Sequence, residues 1–168
     1  MKKLCVMLCL LLALSGCGTP AAPAETAGPT CTISISCVTI LDNMDKLDPE
    51  KVELVPQDGW LLEKTEVSFT EGESVFDVLQ RVTREQTLQM EYMDTPLYDS
   101  AYIEGIGNLY EFDCGNESGW MYSVNDWFPN YGCSKYVLQD GDAIRWVYTC
   151  DLGRDVGDNY WLTEGAGS

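Results

Sequence analysis

The residues able to do chemistry in this chain of 168 amino acids are defined first by an absence, since it contains eight cysteines and no histidine. Without an imidazole, Ser-His-Asp and Cys-His catalysis and histidine-containing zinc sites are excluded. Five cysteines lie beyond the amino-terminal segment: Cys31, Cys37, Cys114, Cys133 and Cys150. None sits in a Cys-x2-Cys pair, so the pattern points to disulfides and a leftover thiol rather than to a metal centre. The acid pairs Asp140/Asp142 and Glu111/Asp113 have the residue types of a glycosidase, but acids in turns and strands ordinarily face solvent. The chain is therefore read as a non-enzyme. Asp42 to Asp48 comes nearest to a calcium loop, yet it lacks the central glycine and the terminal glutamate, and no metal is expected.

Aromatic residues crowd the stretch from Tyr110 to Tyr148. Trp120 and Tyr122 share one strand face and Trp146 and Tyr148 another, which suits a core. The run Trp127-Phe128-Pro129-Asn130-Tyr131 differs, because it falls in a turn between strands. Large aromatics on a surface loop can serve as a ligand platform. With the neighbouring Tyr122 and Asn125, the residues Trp127, Phe128, Asn130 and Tyr131 form the candidate binding set.

The elements that must position these residues follow from periodicity. Cys31 to Leu41 alternates, placing Cys31, Ile33, Ile35 and Cys37 on one face, so a strand with one buried face is expected. Residues 42–56 read as a loop, and Gly59 to Phe69 as a second strand, the hairpin partner of the first. Ser74 and Asp77 stand in capping-box positions ahead of the apolar stripe Val75, Val78, Leu79 and Val82, which predicts one main helix. Short strands follow at 88–92, 102–106, 109–112, 119–125 and 143–149, the last after the turn signal Asp140-Gly141. This is an α+β pattern, one main helix packed across a mixed sheet.

The amino terminus speaks to location. Met1-Lys2-Lys3 and the apolar run Leu4 to Leu14 form a signal peptide over residues 1–16, too short to span a bilayer comfortably. Leu14-Ser15-Gly16-Cys17 resembles the bacterial lipobox, which implies a diacylglyceryl group on Cys17. Residues 17–30 are Pro/Ala-rich and read as a tether reaching about 30–40 Å at roughly 3 Å per residue. The folded domain is expected over 31–150 and a flexible tail over 151–168. The implied location is the extracytoplasmic face of a bacterial membrane. A formal net charge of −17, with scattered cations, argues against a nucleic-acid partner.

The ordered series Ser118-Gly119-Trp120-Met121-Tyr122-Ser123-Val124-Asn125, Pro129-Asn130-Tyr131-Gly132, Tyr136-Val137-Leu138, Asp140-Gly141-Asp142 and Ile144 to Thr149 resembles the transcobalamin-like C-terminal domain family. Glu71 to Leu79 is similar to that family's helix entry. The resemblance implies a β-grasp-like fold whose last strand runs parallel to the first. It also implies cobalamin, or a related corrinoid, as ligand, since in vitamin B12 carriers this domain covers one corrinoid face. From it follows a Cys37–Cys150 bridge at the carboxyl ends of those two strands. Cys114 and Cys133 flank the 119–125 strand and are expected to pair, leaving Cys31 free. The function expected is a membrane-tethered cell-surface module that binds a corrinoid, another flat ligand or a surface protein. The alternative is a structural or protein-interaction domain of the envelope with no small-molecule ligand.

Overall fold

A computed structural model describes residues 28–95 and 100–158. The expected signal peptide, Cys17, the tether up to residue 27 and the tail from residue 159 lie outside the described residues. Two sheets share one hydrophobic core. The first contains β1 (Thr30–Ser36), β2 (Trp60–Ser68), β6 (Gly119–Val124) and β7 (Ala143–Thr149) in the order β2-β1-β7-β6. The second is the meander β3 (Met90–Thr95), β4 (Ser100–Ile106) and β5 (Leu109–Tyr110). Strand β7 runs parallel to β1, with Ile33 opposite Ile144 and Ile35 opposite Trp146, while β2 and β6 pair antiparallel on either side. A parallel centre between first and last strands is the β-grasp arrangement implied by the resemblance.

The expected single sheet is thus divided in two. The reason is local: β3, β4 and β5 follow one another directly, and each finds its backbone partner in its neighbour. Gly107 and Asn108 at the β4–β5 turn both have positive φ, 63° and 61°, which gives a two-residue hairpin of the primed type. Ala101, Ile103 and Ile106 of β4 turn inward and join the core of the larger sheet.

The main helix, α2 (Val75–Glu85), starts where the capping box places it. Ser74 Oγ accepts from Asp77 N at 3.2 Å, and Asp77 Oδ2 accepts from Ser74 N at 2.8 Å. Its stripe of Val75, Val78, Leu79 and Val82 is buried with Ile33, Ile35, Ile144 and Trp146. On its flank, Phe76 meets Tyr92 of β3 edge-on, with ring centroids 4.7 Å apart.

The first strand is shorter than its alternation predicts. It stops at Ser36, and Val38–Leu41 forms a single helical turn, α1. Tertiary contacts override β-propensity here. Cys37 N donates to Gly59 O at 2.7 Å, and Thr39 Oγ1 donates to Tyr148 O. Gly59, at φ 73°, lies so close that a Cβ there would sit 2.7 Å from Val38 Cα. The loop at 42–56 contains a 3-10 turn, Pro49–Leu54, capped by Asp48.

The folded unit also runs past residue 150, where the flexible tail was expected to begin. Asp155 accepts from Cys150 N at 2.8 Å and from Thr149 Oγ1, and Leu152 N donates to Glu117 O at 2.9 Å. The loop 151–158 is thereby fastened to the end of β7 and to the β5–β6 connection.

Candidate functional site

The aromatic run follows a turn made by Asn125 and Asp126, whose φ values are 53° and 64°. Val124 N donates to Trp127 O at 2.9 Å and Trp127 N to Val124 O at 3.0 Å, closing a two-residue hairpin. Asn and Asp tolerate this left-handed region because their short side chains hydrogen-bond locally. Here the Asn125 side chain bonds across to distant partners, donating from Nδ2 to Asp142 Oδ1 at 2.8 Å and accepting at Oδ1 from Ala143 N at 3.0 Å. Asn125 is therefore occupied in clamping the turn to the start of β7 rather than turned to a ligand. Asp126 binds Arg145 Nη1 at 2.8 Å.

Beyond the turn the chain crosses to β4. Trp127 and Tyr131 are 53% and 40% exposed, and their rings meet edge-on with centroids 6.0 Å apart. Tyr131 in turn stacks on Tyr136 at 6.5 Å. Tyr122 is buried, and its hydroxyl donates to Tyr131 O at 2.9 Å, so it holds the loop from beneath. The loop is tied to β4 by Ser134 Oγ, which accepts from Ala101 N at 3.1 Å and lies 3.2 Å from Ser100 Oγ. Gly132 makes the approach feasible: a Cβ there would fall 1.5 Å from Ser100 Oγ.

Between the loop and the second sheet lies a cleft of about 520 Å³, lined by Thr95, Ser100, Ala101, Tyr102, Pro129, Asn130, Tyr131, Gly132 and Lys135. That volume lies in the range of small-molecule sites. Of the residues singled out in the sequence, Asn130 and Tyr131 line this cleft. Trp127 touches Tyr131 edge-on without lining the cleft, and Phe128 is half-buried at the start of the loop. A separate, smaller space of about 150 Å³ shares Ala101, Tyr102 and Gly132 with the cleft and is lined also by Trp120, Tyr122, Cys133 and Trp146.

The opposite wall went unread in the sequence. Tyr102 is 43% exposed and stands opposite Met93, itself 50% exposed. The Tyr102 hydroxyl donates to Glu111, and burial of that end together with the carboxylate pushes the phenol pKa up. Lys135 also lines the cleft. The one available signal was an outward position on the alternating strand Tyr102-Ile103, which by itself reads as an ordinary surface residue.

The acidic pairs have structural duties. Asp142 is buried and receives Asn125 and Gln139 N, while Asp140 Oδ1 accepts from Thr30 N at 2.8 Å. Asp113 accepts from Tyr110 N at 2.7 Å and faces Lys51 Nζ at 3.4 Å. Among the described residues no group of three His, Cys, Asp or Glu is placed to hold a metal ion, and no helix is long and apolar enough to cross a membrane.

The five cysteines are buried thiols, and neither expected bridge is formed. Cys133 Sγ points to Ala101 O at 3.7 Å beneath the cleft, whereas Cys114 Sγ points to Asn43 O at 3.4 Å. The two occupy different neighbourhoods, which corrects the Cys114–Cys133 pairing. Cys37 and Cys150 do lie at the carboxyl ends of adjacent parallel strands. The chain leaves β1 at Ser36, however, and Cys150 Sγ lies 3.9 Å from Thr39 Oγ1, with both cysteines left as thiols. Cys31, expected to be free, is a thiol 1% exposed at the start of β1. Burial pushes its pKa up to about 11 and those of Cys37 and Cys133 to about 12.

Fold and cleft together define an α+β domain with an aromatic-walled surface groove. Residues 72–150 match the model of a domain of unknown function, DUF4430, a family related to transcobalamin-like domains. The match takes in α2, the second sheet, the aromatic loop and β7. No curated protein matches the sequence. Among solved structures the chain is similar to haptocorrin in complex with Cbi, at 12% identity and a TM-score of 0.49 over 73% of this chain and 26% of haptocorrin. It is also similar to a protein from Ruminococcus gnavus ATCC 29149 provisionally described as metal-binding, at 14% identity and a TM-score of 0.42, over 72% of this chain and 96% of that one. The chain thus spans about a quarter of haptocorrin's length. At these levels of likeness neither structure bears on function.

Proposed function

We propose that this protein is a membrane-tethered cell-surface binding module that holds a flat, largely apolar ligand in the cleft between the aromatic loop and β4, with a corrinoid such as cobalamin as the ligand to try first. The observation that carries the reading is the cleft itself. Tyr131, Pro129 and Tyr102 give it apolar walls, and Asn130, Ser100, Thr95 and Lys135 supply a few polar groups to fix orientation. This mix of apolar walls and a few polar groups supports recognition of a ligand. The choice of a corrinoid rests on the resemblance to transcobalamin-like domains. A cleft of this size would take one edge or face of such a ligand.

Trp127, edge-on to Tyr131, offers the reporter. Titrating the protein with cobinamide and cyanocobalamin should quench tryptophan fluorescence saturably beyond the inner-filter correction. A linear, unsaturable response to both would remove the corrinoid. The lipobox-like run Leu14-Ser15-Gly16-Cys17 supports anchoring through acyl chains on Cys17, with the domain on the extracytoplasmic face of a bacterial membrane. In cells fed a labelled fatty acid, the protein should carry label that Cys17→Ala abolishes; label persisting in that variant would refute the anchor.

A further inference from the structure

Two of the five buried thiols are neighbours. Cys114, in the turn between β5 and β6, and Cys150, just past the end of β7, lie near enough for each thiol to bear on the other's protonation. Both rest on the same short stretch of chain. Cys114 Sγ lies 3.4 Å from Asn43 O, Cys150 Sγ lies 3.9 Å from Thr39 Oγ1, and Asn43 Nδ2 donates to Thr39 O at 2.9 Å. The surrounding contacts hold the two backbones in place. Cys114 N donates to Ser118 Oγ at 3.1 Å, Ser118 Oγ lies 3.0 Å from Tyr148 OH, and Tyr148 OH donates to Tyr110 O at 2.7 Å.

We infer that Cys114 and Cys150 form a disulfide that brackets the binding segment, while Cys31, Cys37 and Cys133 remain thiols. The chain between the two cysteines carries β6, the aromatic loop and β7, so the bond closes a loop around the aromatic wall of the cleft, with the β4 wall outside it. The reaction is thiol-disulfide exchange with a disulfide-bearing oxidant, for which oxidised glutathione is the probe. One cysteine thiolate attacks the oxidant's S–S bond, giving a mixed disulfide and releasing one glutathione thiolate. The second cysteine then displaces the other. The protein loses two electrons and two protons, and one oxidised glutathione becomes two reduced ones. In the folded domain, burial raises both thiols, Cys150 to about 12, so little thiolate is present at neutral pH. The exchange therefore belongs to folding, before the turn closes over β7, and the finished bond should resist reduction in the native state.

The test uses the full chain in detergent, refolded from the reduced state with oxidised and reduced glutathione. It is then denatured in excess alkylating agent without reductant and mapped by peptide mass. Cys114 joined to Cys150, with Cys31, Cys37 and Cys133 alkylated, is the expected result. Alkylated Cys114 and Cys150, or either joined to another cysteine, would overturn the assignment. The oxidised protein should melt roughly 10 °C above the reduced one. That difference should vanish in Cys114→Ser with Cys150→Ser and persist in Cys133→Ser; persistence in the double variant would also overturn it.

Discussion

Exposure separates Trp127 from Trp146, and each has its own consequence. Trp127 is half open to solvent, whereas Trp146 is 2% exposed and packs on Tyr122 with centroids 5.5 Å apart. Trp146→Ala should cost about 3–5 kcal/mol of stability, the usual penalty for emptying a buried aromatic site. Trp127→Ala should change the melting temperature little. Thermal unfolding of the pair checks this, and equal losses would mean the loop is core. A second expectation concerns Cys37, whose thiol is pushed up to about 12 chiefly by burial, with Asp58 adding to the effect, against an ordinary value near 9. The folded state holds its proton through a range in which the unfolded chain releases it. Stability from this group is thus complete below about pH 9 and is lost as pH climbs toward 12. In reduced protein, Cys37→Val should flatten the alkaline fall in melting temperature. An unchanged slope would show that Cys37 is not protected.

Elements show which features can be read from local sequence and which cannot. The capping box at Ser74 and Asp77 lies wholly within four residues, so the helix start is legible. The Asn125-Asp126 turn is legible as a turn, but Asn125's task depends on Asp142 and Ala143, distant in sequence. Val38-Thr39-Ile40-Leu41 carries β-branched residues and reads as strand, yet the close approach of Gly59 and the Thr39–Tyr148 hydrogen bond bend it into a helical turn. The cleft was half legible for the same reason. Tyr131 and Asn130 announce themselves as aromatic and polar residues in a turn, while Tyr102 and Ser100 join them only because Ser134 fastens the loop to β4. Gly132 is the hinge of that closeness. Gly132→Ala should push the loop off β4, weakening ligand binding about tenfold or more while leaving α2 and the β1–β7 pair protected from amide exchange. Wild-type binding in this variant would mean the cleft does not depend on that contact.

For the whole molecule, the parallel β1–β7 centre came from the resemblance and is present in the fold. The division into two sheets was not readable, because alternation identifies strands without saying which partners they choose. Cysteine pairing suffered likewise: the nearness of Cys114 and Cys150 depends on how the 111–118 turn settles against Tyr148. What the assembled domain offers is a cleft shared between an aromatic loop from one sheet and a strand from the other. The most direct measurement is equilibrium dialysis of cobinamide and cyanocobalamin against the wild-type protein and Tyr131→Ala. The account predicts saturable one-site binding by wild type and about 30-fold weaker binding by the variant, a loss of about 2 kcal/mol, with melting temperatures alike. Equal affinities in the two proteins, or no corrinoid bound by the folded wild type, would contradict it.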